Sequence, residues 1–382
     1  MSKLTLTFLY MEYEHIGKDV TCVPYYLGKS LGYDVDIVSL TSATNRNFPS
    51  KLKGISFKFL FRHGDRKNGW YKLIFFWLYL MRNARRIDIL MRFHYSIPTI
   101  IEVLIYKLFN KKGKVYIKCD TDHHIIEKFQ NPNNIRERLK KKLYKKGIKK
   151  IDIISCETLK AYNMMTASKS PYFAFNEKLL YIPNGFDEQE LIQLGGSSNL
   201  WQDNKQNEII TVGRLGTYQK NTEVLLETLA KTNLNDWKVY LIGPIEPNFQ
   251  NTIDKFYAEH PDKRDSVIFT GPIYDKEKLW TWYMRAKVFV LTSRWESYGL
   301  VLAEARRFGC YIVSTDVGAA YDLIGNNQYG EYIKQDNSED LQRVLQRIIN
   351  GVTVLNIDTK NAAQELSWEH VLSPVIKKLQ EK

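Results

Sequence analysis

Residues 287–305 read KVFVLTSRWESYGLVLAEA, and this stretch decides the fold. Its first six residues, KVFVLT, contain the apolar run VFVL, which is typical of a strand covered on both faces. A polar loop ends at Gly299, and the following residues continue with a helical pattern. A buried strand followed by a helix is the building unit of a parallel α/β sheet. Ligands of such sheets bind at the carboxyl ends of the strands, so the loop is the first place to look for a site.

The same alternation extends outward through the chain. In the second half, strands are predicted at residues 208–214, 238–243, 267–271, 287–292 and 311–316, and helices at 221–232, 248–260, 276–286, 299–309 and 338–350. In the first half, strands are predicted at 4–11, 35–40, 55–61, 87–93, 114–120, 152–157 and 179–184, and helices at 100–109 and 135–150. This order predicts doubly wound, Rossmann-like parallel sheets.

The length of 382 residues exceeds what one compact core accommodates, so two domains are expected. A small, polar, linker-like stretch, GGSSN, occupies residues 195–199. We therefore predict an N-terminal domain at 1–190, a C-terminal domain at 191–366, and a final amphipathic segment at 367–382. Two such domains are expected to bind ligands in the cleft between them.

Positive charge is concentrated in the first half of the chain. The net charge is +13, and residues 1–190 alone contain 33 lysines and arginines against 18 acidic residues. Such a field attracts nucleic acid, anionic lipids or phosphate-bearing substrates. Seven cations surround the aromatic run at 70–79, namely Arg62, Arg66, Lys67, Lys72, Arg82, Arg85 and Arg86, and a second basic block covers 140–150. This pattern fits an anionic membrane surface, or equally a buried helix with solvated basic flanks.

The longest apolar run, at residues 70–81, contains Lys72 and is shorter than the ~20 residues of a spanning helix. The apolar start at 4–11 is interpreted as a first strand and not as a signal peptide. The four cysteines are far apart, which fits free thiols in a reducing compartment. We therefore expect a cytoplasmic protein, peripheral on the inner face of the membrane if the basic half binds lipid.

The second half contains the residues of an anion and sugar site. Gly213-Arg214 and Lys220 flank a strand-to-helix turn, where two cations suit a diphosphate. The helix that begins after Gly299 adds free backbone N–H groups and the positive end of its dipole. Glu296 and Glu304 lie on either side of this helix start, and carboxylates accept hydrogen bonds from vicinal hydroxyls such as those of sugars. Each feature alone also fits ordinary surface charges; together they suit a ligand that carries a diphosphate and vicinal hydroxyls, such as those of a sugar or a ribose.

Four segments resemble the signature motifs of the family 4 retaining glycosyltransferases of the GT-B fold: GRLGTYQKN (213–221), SRWESYGLVLAEA (293–305), YIPNGFD (181–187) and LSWEHV (366–371). The resemblance implies two Rossmann-like domains facing across a cleft, with the segment 367–382 crossing back to the N-terminal domain. It also implies a nucleotide-sugar as substrate, with no cofactor and no metal.

The resemblance assigns a role to each donor-site residue. Arg214 and Lys220 would bind the donor diphosphate, and Glu304 would hold the ribose hydroxyls. Glu296 would bind hydroxyls of the transferred sugar beside the reacting carbon, as a catalytic residue. The backbone at Ile273 would read the base. The backbone at Gly299, Leu300 and Val301 would contact the distal phosphate, and Ser297 and Tyr298 in the preceding loop would also bind the donor.

The N-terminal half departs from the family pattern. Its first loop contains one glycine, Gly17, followed by Lys18, and both are candidates for phosphate or acceptor binding, as is His94. Asp120 stands where similar proteins often have histidine, which makes it a candidate catalytic residue. His94, His123 and His124 are nearby alternatives, although a structural or solvated histidine is the simpler interpretation of each. The tripeptides Asp34-Val35-Asp36 and Asp120-Thr121-Asp122 resemble metal-binding DxD motifs, but with two cations available for the diphosphate no metal is expected.

The predicted function is transfer of a sugar from a UDP- or GDP-sugar to a glycan or lipid-linked acceptor, in bacterial surface polysaccharide synthesis. One alternative is a nucleotide-sugar epimerase of the same architecture. Another is a non-catalytic basic protein that binds membranes or polyanions. No nucleic-acid partner is expected, because no recognised nucleic-acid motif is present.

Overall fold

A computed structural model describes residues 2–42, 44–60, 72–120, 135–193, 205–355 and 359–381, with backbone only at 135–138. The chain divides into two compact units: Met1–Gly185 together with Trp368–Lys382, and Phe186–Ser367. The first division thus falls five residues before the boundary predicted after residue 190. The predicted linker at 195–199 lies outside the described residues.

The first unit is built on an eight-stranded sheet with the order β3-β4-β2-β1-β5-β6-β7-β8. Neighbouring strands are parallel, except that β3 runs antiparallel to β4. Its strands are β1 (Lys3–Thr7), β2 (Asp34–Leu40), β3 (Lys51–Leu52), β4 (Ile55–Leu60), β5 (Ile89–Phe93), β6 (Lys114–Cys119), β7 (Ile153–Cys156) and β8 (Leu179–Tyr181).

Helices cover both faces of this sheet. The helices of the first half are α1 (Asp19–Leu31), α2 (Leu73–Asn83), α3 (Ile97–Phe109), α4 (Ile135–Ile148) and α5 (Leu159–Ala167). Helices α2 and α4 both pack against α3. Because the crossover through α1 runs in the opposite direction along the sheet from those through α3 and α4, right-handed connections place α1 on the other face.

The second unit has a six-stranded, entirely parallel sheet with the order β11-β10-β9-β12-β13-β14. Its strands are β9 (Gln206–Val212), β10 (Lys238–Ile242), β11 (Val267–Gly271), β12 (Ala286–Leu291), β13 (Tyr311–Ser314) and β14 (Gly330–Tyr332). Its helices are α6 (Glu188–Gln193), α7 (Thr222–Lys231), α8 (Gln250–Glu259), α9 (Lys276–Arg285), α10 (Leu300–Arg307), α11 (Ala320–Ile324), α12 (Ser338–Ile349) and α13 (Lys360–Glu365).

The last two helices, α14 (Trp368–Val371) and α15 (Ser373–Gln380), belong to the first unit, where both contact α1. Trp368 is buried in the core around α1, and a Cβ atom added to Gly185 would lie 2.6 Å from its ring. Phe186 and Ser367 are the first and last residues of the second unit. The amide of Phe186 donates to the carbonyl of Leu366 at 2.5 Å, and Phe186 pairs with Ser367 in an isolated bridge.

The prediction of two doubly wound, parallel α/β sheets is confirmed. Each sheet reverses its order once: between β1 and β5 in the first unit, and between β9 and β12 in the second. Such a switch point opens a crevice at the carboxyl ends of its strands, which is where ligands bind in folds of this kind. None of the helices within the described residues is long and apolar enough to span a bilayer.

Candidate active site

The switch point of the second sheet is formed by two loops that are joined along their length. One loop follows β9, and the other follows β12. The hydroxyl of Thr292 donates to the carbonyl oxygens of Lys220 and Asn221, each at 3.0 Å. The Arg294 amide donates to the Gln219 carbonyl at 2.8 Å, and the Gln219 side-chain amide donates to the carbonyl of Trp295 at 3.0 Å. These bonds fix the position of each loop relative to the other.

An ion pair connects the two loops at the level of the side chains. The Lys220 ammonium lies 2.5 Å from Oε1 of Glu296, and the Ser293 hydroxyl donates to the same oxygen at 2.7 Å. The two charged side chains are only 16% and 10% exposed. From the sequence, Lys220 was expected at the donor diphosphate and Glu296 at the transferred sugar. In the structure the two side chains contact each other. In this sheltered position each charge depends on the other for stabilisation.

A pocket of about 270 Å³ opens beside this pair. Its lining includes three residues predicted for the donor, Arg214, Lys220 and Ile273. The remaining lining residues are Val212, Gly213, Ile242, Gly243, Pro244, Pro272, Tyr274 and Leu279. Arg214 is exposed and donates to Oε1 of Gln219 at 3.1 Å. The wall is thus apolar, with both cations on the side of the β9 loop.

Two glycines bring the backbones of neighbouring strands close together in this pocket. The Gly213 amide donates to the carbonyl of Ile242 at 3.0 Å, which extends the pairing of β9 and β10 beyond their ends. Gly243 has a φ of +145°, and a Cβ atom there would lie 1.8 Å from the carbonyl oxygen of Gly213. Any side chain at position 243 would therefore push apart the strand ends that hold Arg214.

Helix α10 begins directly after the second loop. Its N-cap, Gly299, has a φ of +81°. The first amides of a helix, here those of Leu300 and Val301, have no acceptor within the helix and are oriented towards its N-terminal end. The preceding Ser297 is exposed, whereas Tyr298 is buried, and its carbonyl accepts the Ala319 amide at 2.8 Å. This arrangement is suited to binding an anion at the start of α10.

Glu304 lies one turn into α10, where its side chain faces helix α9. The indole N–H of Trp280 donates to Oε1 of Glu304 at 3.3 Å. Burial raises the pKa of the Glu304 carboxyl, while Trp280, Lys276 and Tyr283 act in the opposite direction. Trp280 is adjacent to Leu279, which lines the pocket. Glu304 is therefore a largely desolvated carboxyl held against α9, and it is not part of the described lining of the pocket.

The switch point of the first sheet gathers the residues predicted in the N-terminal half. Gly17, with a φ of +74°, and Lys18, the exposed N-cap of α1, belong to the loop after β1. His94 follows β5, is exposed and has a φ of +62°. Asp120 follows β6 and is half-buried. All four therefore lie at the carboxyl edge of the same sheet.

A buried lysine that the sequence analysis missed lies among these residues. Lys118 is fully buried, forms an ion pair with Glu157, and lies 3.3 Å from Oδ2 of Asp19. Burial raises the pKa of the Asp120 carboxyl; nearby Lys118 and His94 lower it, and Asp19 raises it. The signal was present in the sequence, because a lysine inside the apolar strand KVYIKC requires partners. We refer to Asp19, His94, Lys118, Asp120 and Glu157 as the first-unit cluster.

The structure describes the first DxD tripeptide, Asp34-Val35-Asp36, in full and the second only in part. The Asp36 carboxylate accepts from Lys3 at 3.0 Å and from Lys58 at 2.6 Å, so it is already neutralised. Of the second tripeptide only Asp120 is described, and His123 and His124 also lie outside the described residues. Within the described part of the chain, no group of three or more His, Cys, Asp or Glu side chains is arranged to hold a metal ion.

Comparison with known proteins points to one family. Residues 199–365 match the family model described as glycosyl transferases group 1. The resemblance inferred from the motifs is thus confirmed for these residues at the level of that family. Among curated proteins, the amylovoran biosynthesis glycosyltransferase AmsD of Erwinia amylovora is 26% identical over 219 residues, which cover 56% of this chain and 54% of AmsD. The chain spans about half the length of the curated relatives that it matches first.

Solved structures of glycosyltransferases share the fold over nearly the whole chain. The lipopolysaccharide outer core galactosyltransferase WaaB has a TM-score of 0.70 at 14% identity, with 99% of both chains covered. HepE of Anabaena, solved in complex with UDP, has a TM-score of 0.65 at 14% identity, again with 99% of both chains covered. These are GT-B glycosyltransferases, and the predicted GT-B fold class is confirmed.

Proposed function

We propose that this protein transfers a sugar from a nucleotide-sugar donor to a glycan or lipid-linked acceptor, with retention of the anomeric configuration, as a family 4 glycosyltransferase. The observation that carries the proposal is the pairing of Lys220 with Glu296 beside the pocket that Arg214 and Ile273 line. A cation for phosphate and a carboxylate for sugar hydroxyls are thereby held within one hydrogen bond of each other.

In this proposal the donor diphosphate lies between the cationic turn and the start of α10. Arg214 and Lys220 stabilise the negative charge that develops on the departing phosphate, and the amides of Leu300 and Val301 bind its distal oxygens. Since Lys220 is already oriented by Glu296, little reorganisation is needed when the phosphate arrives. The transition state has oxocarbenium character, as in other glycosyl transfers.

The nucleoside part occupies the apolar pocket. The backbone at Ile273 contacts the base, and Tyr274, whose side chain is 87% exposed, offers an aromatic face beside it. Glu304 accepts hydrogen bonds from the ribose hydroxyls, which compensate the desolvation of its carboxylate. Glu296 binds hydroxyls of the transferred sugar near the reacting carbon.

The first-unit cluster provides the acceptor side. Its half-buried carboxyl, Asp120, has a raised pKa and is proposed to interact with the reacting hydroxyl, while Gly17 and Lys18 contact phosphate or acceptor groups. Products in bacterial surface polysaccharides fit the curated relative AmsD, which is named for amylovoran biosynthesis. We propose that the reaction takes place in the cytoplasm and requires neither metal nor cofactor.

Two measurements test the proposal. A thermal-shift panel with UDP, GDP, ADP and CMP identifies the base, because a ligand that binds only the folded state raises the melting temperature. Incubation with the matching nucleotide-sugars, with and without acceptor glycans, should then release free nucleotide. Epimerised donor without nucleotide release would instead assign the protein as an epimerase. If no nucleotide stabilises the protein while polyanion binding persists, a non-catalytic binding role would replace the proposal.

A further inference from the structure

Two aromatic side chains are exposed on the loops that hold the Lys220–Glu296 pair. Tyr218, in the loop after β9, is 72% exposed, and Trp295, in the loop after β12, is 42% exposed. Their ring centroids lie 5.9 Å apart, with the ring planes inclined by 50°. A ligand that covers such a pair gains free energy by removing both rings from water. We call these two side chains the aromatic platform.

Arg294 fixes the position of the Tyr218 ring. The carbon of its guanidinium group lies 4.1 Å from the ring centroid, so the cation stacks on one face of the ring. Nη1 of Arg294 donates to the carbonyl of Tyr218 at 2.7 Å, and Nε donates to Oδ1 of Asp336 at 2.9 Å. The side-chain amide of Gln335 donates to the carbonyl of Arg294 at 2.7 Å. The covered face of the Tyr218 ring is therefore held in place, and its other face is available to a ligand.

A carboxylate is linked to the platform through Arg294. Asp336 belongs to the loop after β14, and its side chain is 52% exposed. Arg294 and Asn221 both donate to its Oδ1 atom, Asn221 at 2.9 Å. Oδ2 accepts neither of these bonds and can therefore accept hydrogen bonds from a ligand. Aromatic faces with a carboxylate at their edge suit a pyranose, which has an apolar C–H face and a rim of hydroxyl groups.

The position of the platform favours a sugar of the acceptor over the transferred sugar. The side chains of Lys220 and Glu296, which the proposed function assigns to the donor, are only 16% and 10% exposed. The platform side chains extend from the same two loops into solvent. A transferred sugar held at the sheltered Glu296 carboxylate leaves the platform available to a sugar that arrives from solution. A lipid chain would cover the rings but would offer Asp336 no hydroxyl group.

We propose that the aromatic platform binds a pyranose ring of the acceptor glycan by stacking, with Asp336 accepting hydrogen bonds from its hydroxyl groups. This inference rests on the proposed transferase function. The C–H face of the sugar packs on Tyr218 and Trp295, and the stacked Arg294 keeps the Tyr218 ring in place before the sugar arrives. The platform thereby adds an acceptor contact in the second unit, and it takes no part in proton transfer.

Saturation-transfer NMR tests sugar binding without catalysis. The full chain is mixed, in the absence of nucleotide, with the methyl glycosides of glucose, galactose, mannose and N-acetylglucosamine. We expect saturation to reach the ring protons of at least one glycoside, because these protons would lie against the aromatic rings. In the double variant Tyr218→Ala, Trp295→Ala this transfer should fall to background. Transfer to none of the four glycosides, or equal transfer in the double variant, would overturn the proposal.

Matched variants separate stacking from other effects. Tyr218→Phe retains the ring and should bind glycosides like the parent protein, whereas Tyr218→Ala should not. Tyr321→Ala is the control, since Tyr321 is a 51% exposed tyrosine elsewhere in the second unit, and it should leave the transfer unchanged. A loss in Tyr321→Ala equal to that in Tyr218→Ala would overturn the assignment.

The alanine variants are expected to fold. The bonds from Gln219 to Trp295 and from Arg294 to Tyr218 end on backbone carbonyls, which alanine retains. The changed side chains are themselves exposed, so melting temperatures should stay close to that of the parent protein. A loss of glycoside contact can then be ascribed to the missing rings.

Steady-state kinetics assigns the bound sugar to the acceptor. With the acceptor glycan identified in the transferase assay, Tyr218→Ala and Trp295→Ala should each raise the KM for the acceptor roughly tenfold, the scale of one lost aromatic contact. The value of kcat and the KM for the nucleotide-sugar should stay within about twofold, because stacking holds the acceptor equally in the ground state and the transition state. A rise in the KM for the nucleotide-sugar alone would overturn the proposal in favour of a contact with the transferred sugar.

Failure of this inference and failure of the proposed function give different results. If nucleotide binds and is released from its sugar, but the acceptor KM of both alanine variants is unchanged, the platform is overturned and the transferase proposal stands. If no nucleotide binds and no sugar is transferred, the transferase proposal and the acceptor role fall together. Loss of glycoside contact in the double variant would in that case still support sugar stacking at Tyr218 and Trp295.

Discussion

The Lys220 ammonium and the Glu296 carboxylate lie 2.5 Å apart, although 76 residues separate them in the chain. Their pairing brings the loop after β9 and the loop after β12 together at the point where the sheet order reverses. The pair can act in two ways, as a structural link between loops and as the contact point for a phosphorylated sugar. These roles make different predictions for single and double substitutions.

Lys220→Met and Glu296→Gln should each lower the free energy of unfolding by about 1–3 kcal/mol, because each leaves the other charge sheltered and unpaired. The double variant should lose less than the sum, since no unpaired charge remains. Chemical denaturation measures all three. If the pair also binds the donor, none of the variants should release nucleotide at a measurable rate. Recovery of both stability and activity in the double variant would contradict the donor role.

Arg214→Ala should separate function from stability. Its side chain is exposed and donates to Gln219, so the free energy of unfolding should change by less than about 0.5 kcal/mol. The value of kcat/KM for the donor should fall roughly 10²–10³-fold, the usual effect of removing one group that stabilises developing charge. Steady-state kinetics provides the measurement, with Lys255→Ala as a control for the loss of one exposed cation. Unchanged kinetics in Arg214→Ala would remove this residue from the site.

Nucleotide binding should weaken on acidification through Glu304. Burial raises the pKa of its carboxyl, so the ionised form that accepts ribose hydroxyls is lost at a higher pH than for an ordinary glutamate. Affinity should thus be highest above this pKa and fall as the pH drops through it. Isothermal titration across the pH range, compared with Glu304→Gln, checks the assignment. The variant should bind more weakly and with a flatter pH dependence; an identical pH dependence in both proteins would disprove the role.

Although Glu304→Gln should weaken nucleotide binding, it should stabilise the protein in the absence of nucleotide. A carboxyl whose pKa is higher in the folded state than in the unfolded chain binds more protons when folded, so its contribution to stability declines as the pH rises past its unfolded pKa. At neutral pH, Glu304→Gln should therefore raise the melting temperature by roughly 2 °C while reducing the shift produced by nucleotide. A lower melting temperature would mean that the carboxylate has a structural role at Trp280.

Gly243→Ala should disrupt the pocket through its backbone. The new Cβ atom would lie 1.8 Å from the Gly213 carbonyl oxygen, so the strand ends must separate. Gly351→Ala is the matched control, because Gly351 also has a positive φ, +70°, but nothing lies within 4 Å of its Cβ position. Gly243→Ala should cost at least about 2 kcal/mol more stability than the control and should abolish nucleotide binding. If chemical denaturation showed the same loss of stability for Gly243→Ala and Gly351→Ala, the close contact with the Gly213 carbonyl would not matter for stability.

Asp120→Asn should reduce turnover without affecting nucleotide binding, because the proposed nucleotide pocket lies in the second unit. The thermal shift caused by nucleotide should match that of the parent protein, while kcat falls roughly 10²–10⁴-fold if the carboxyl transfers a proton. Because the pKa of Asp120 is raised, kcat of the parent should decline on acidification at a higher pH than for an ordinary aspartate. His94→Gln is the comparison variant at the same sheet edge, and a loss of kcat in His94→Gln without a loss in Asp120→Asn would assign the catalytic role to His94 in place of Asp120.

Much of the fold could be predicted from local pattern. Apolar runs gave nearly all strands of both sheets, because strands buried on both faces have little alternation to obscure them. Strands β3 and β14 were not predicted, because their sequences, KL and GEY, contain no apolar run. The sequence pattern of the apolar run at 70–81 did not decide whether its side chains are buried or exposed. Within its described part both interpretations apply, since Phe76 is buried while Leu78 is exposed.

The candidate site was predictable as a set of residues and not as a set of contacts. Arg214, Lys220 and Ile273 were expected at one ligand, and they line one pocket. The Lys220–Glu296 pair could not be foreseen, because each residue had a separate role and nothing local links two loops so distant in sequence. The crowding at Gly243 depends on how closely two strand ends approach, which is a tertiary property.

The position of Trp368 has a consequence for how the protein is synthesised. Its indole belongs to the core around α1, whereas the intervening residues Phe186–Ser367 form the second unit by themselves. On the ribosome, the second unit can complete its sheet as soon as its own residues have emerged, since domains generally fold as units. The first unit receives the Trp368 side chain of its core only after the whole second unit has been translated. We therefore expect the N-terminal half of the chain to complete its core after the second unit.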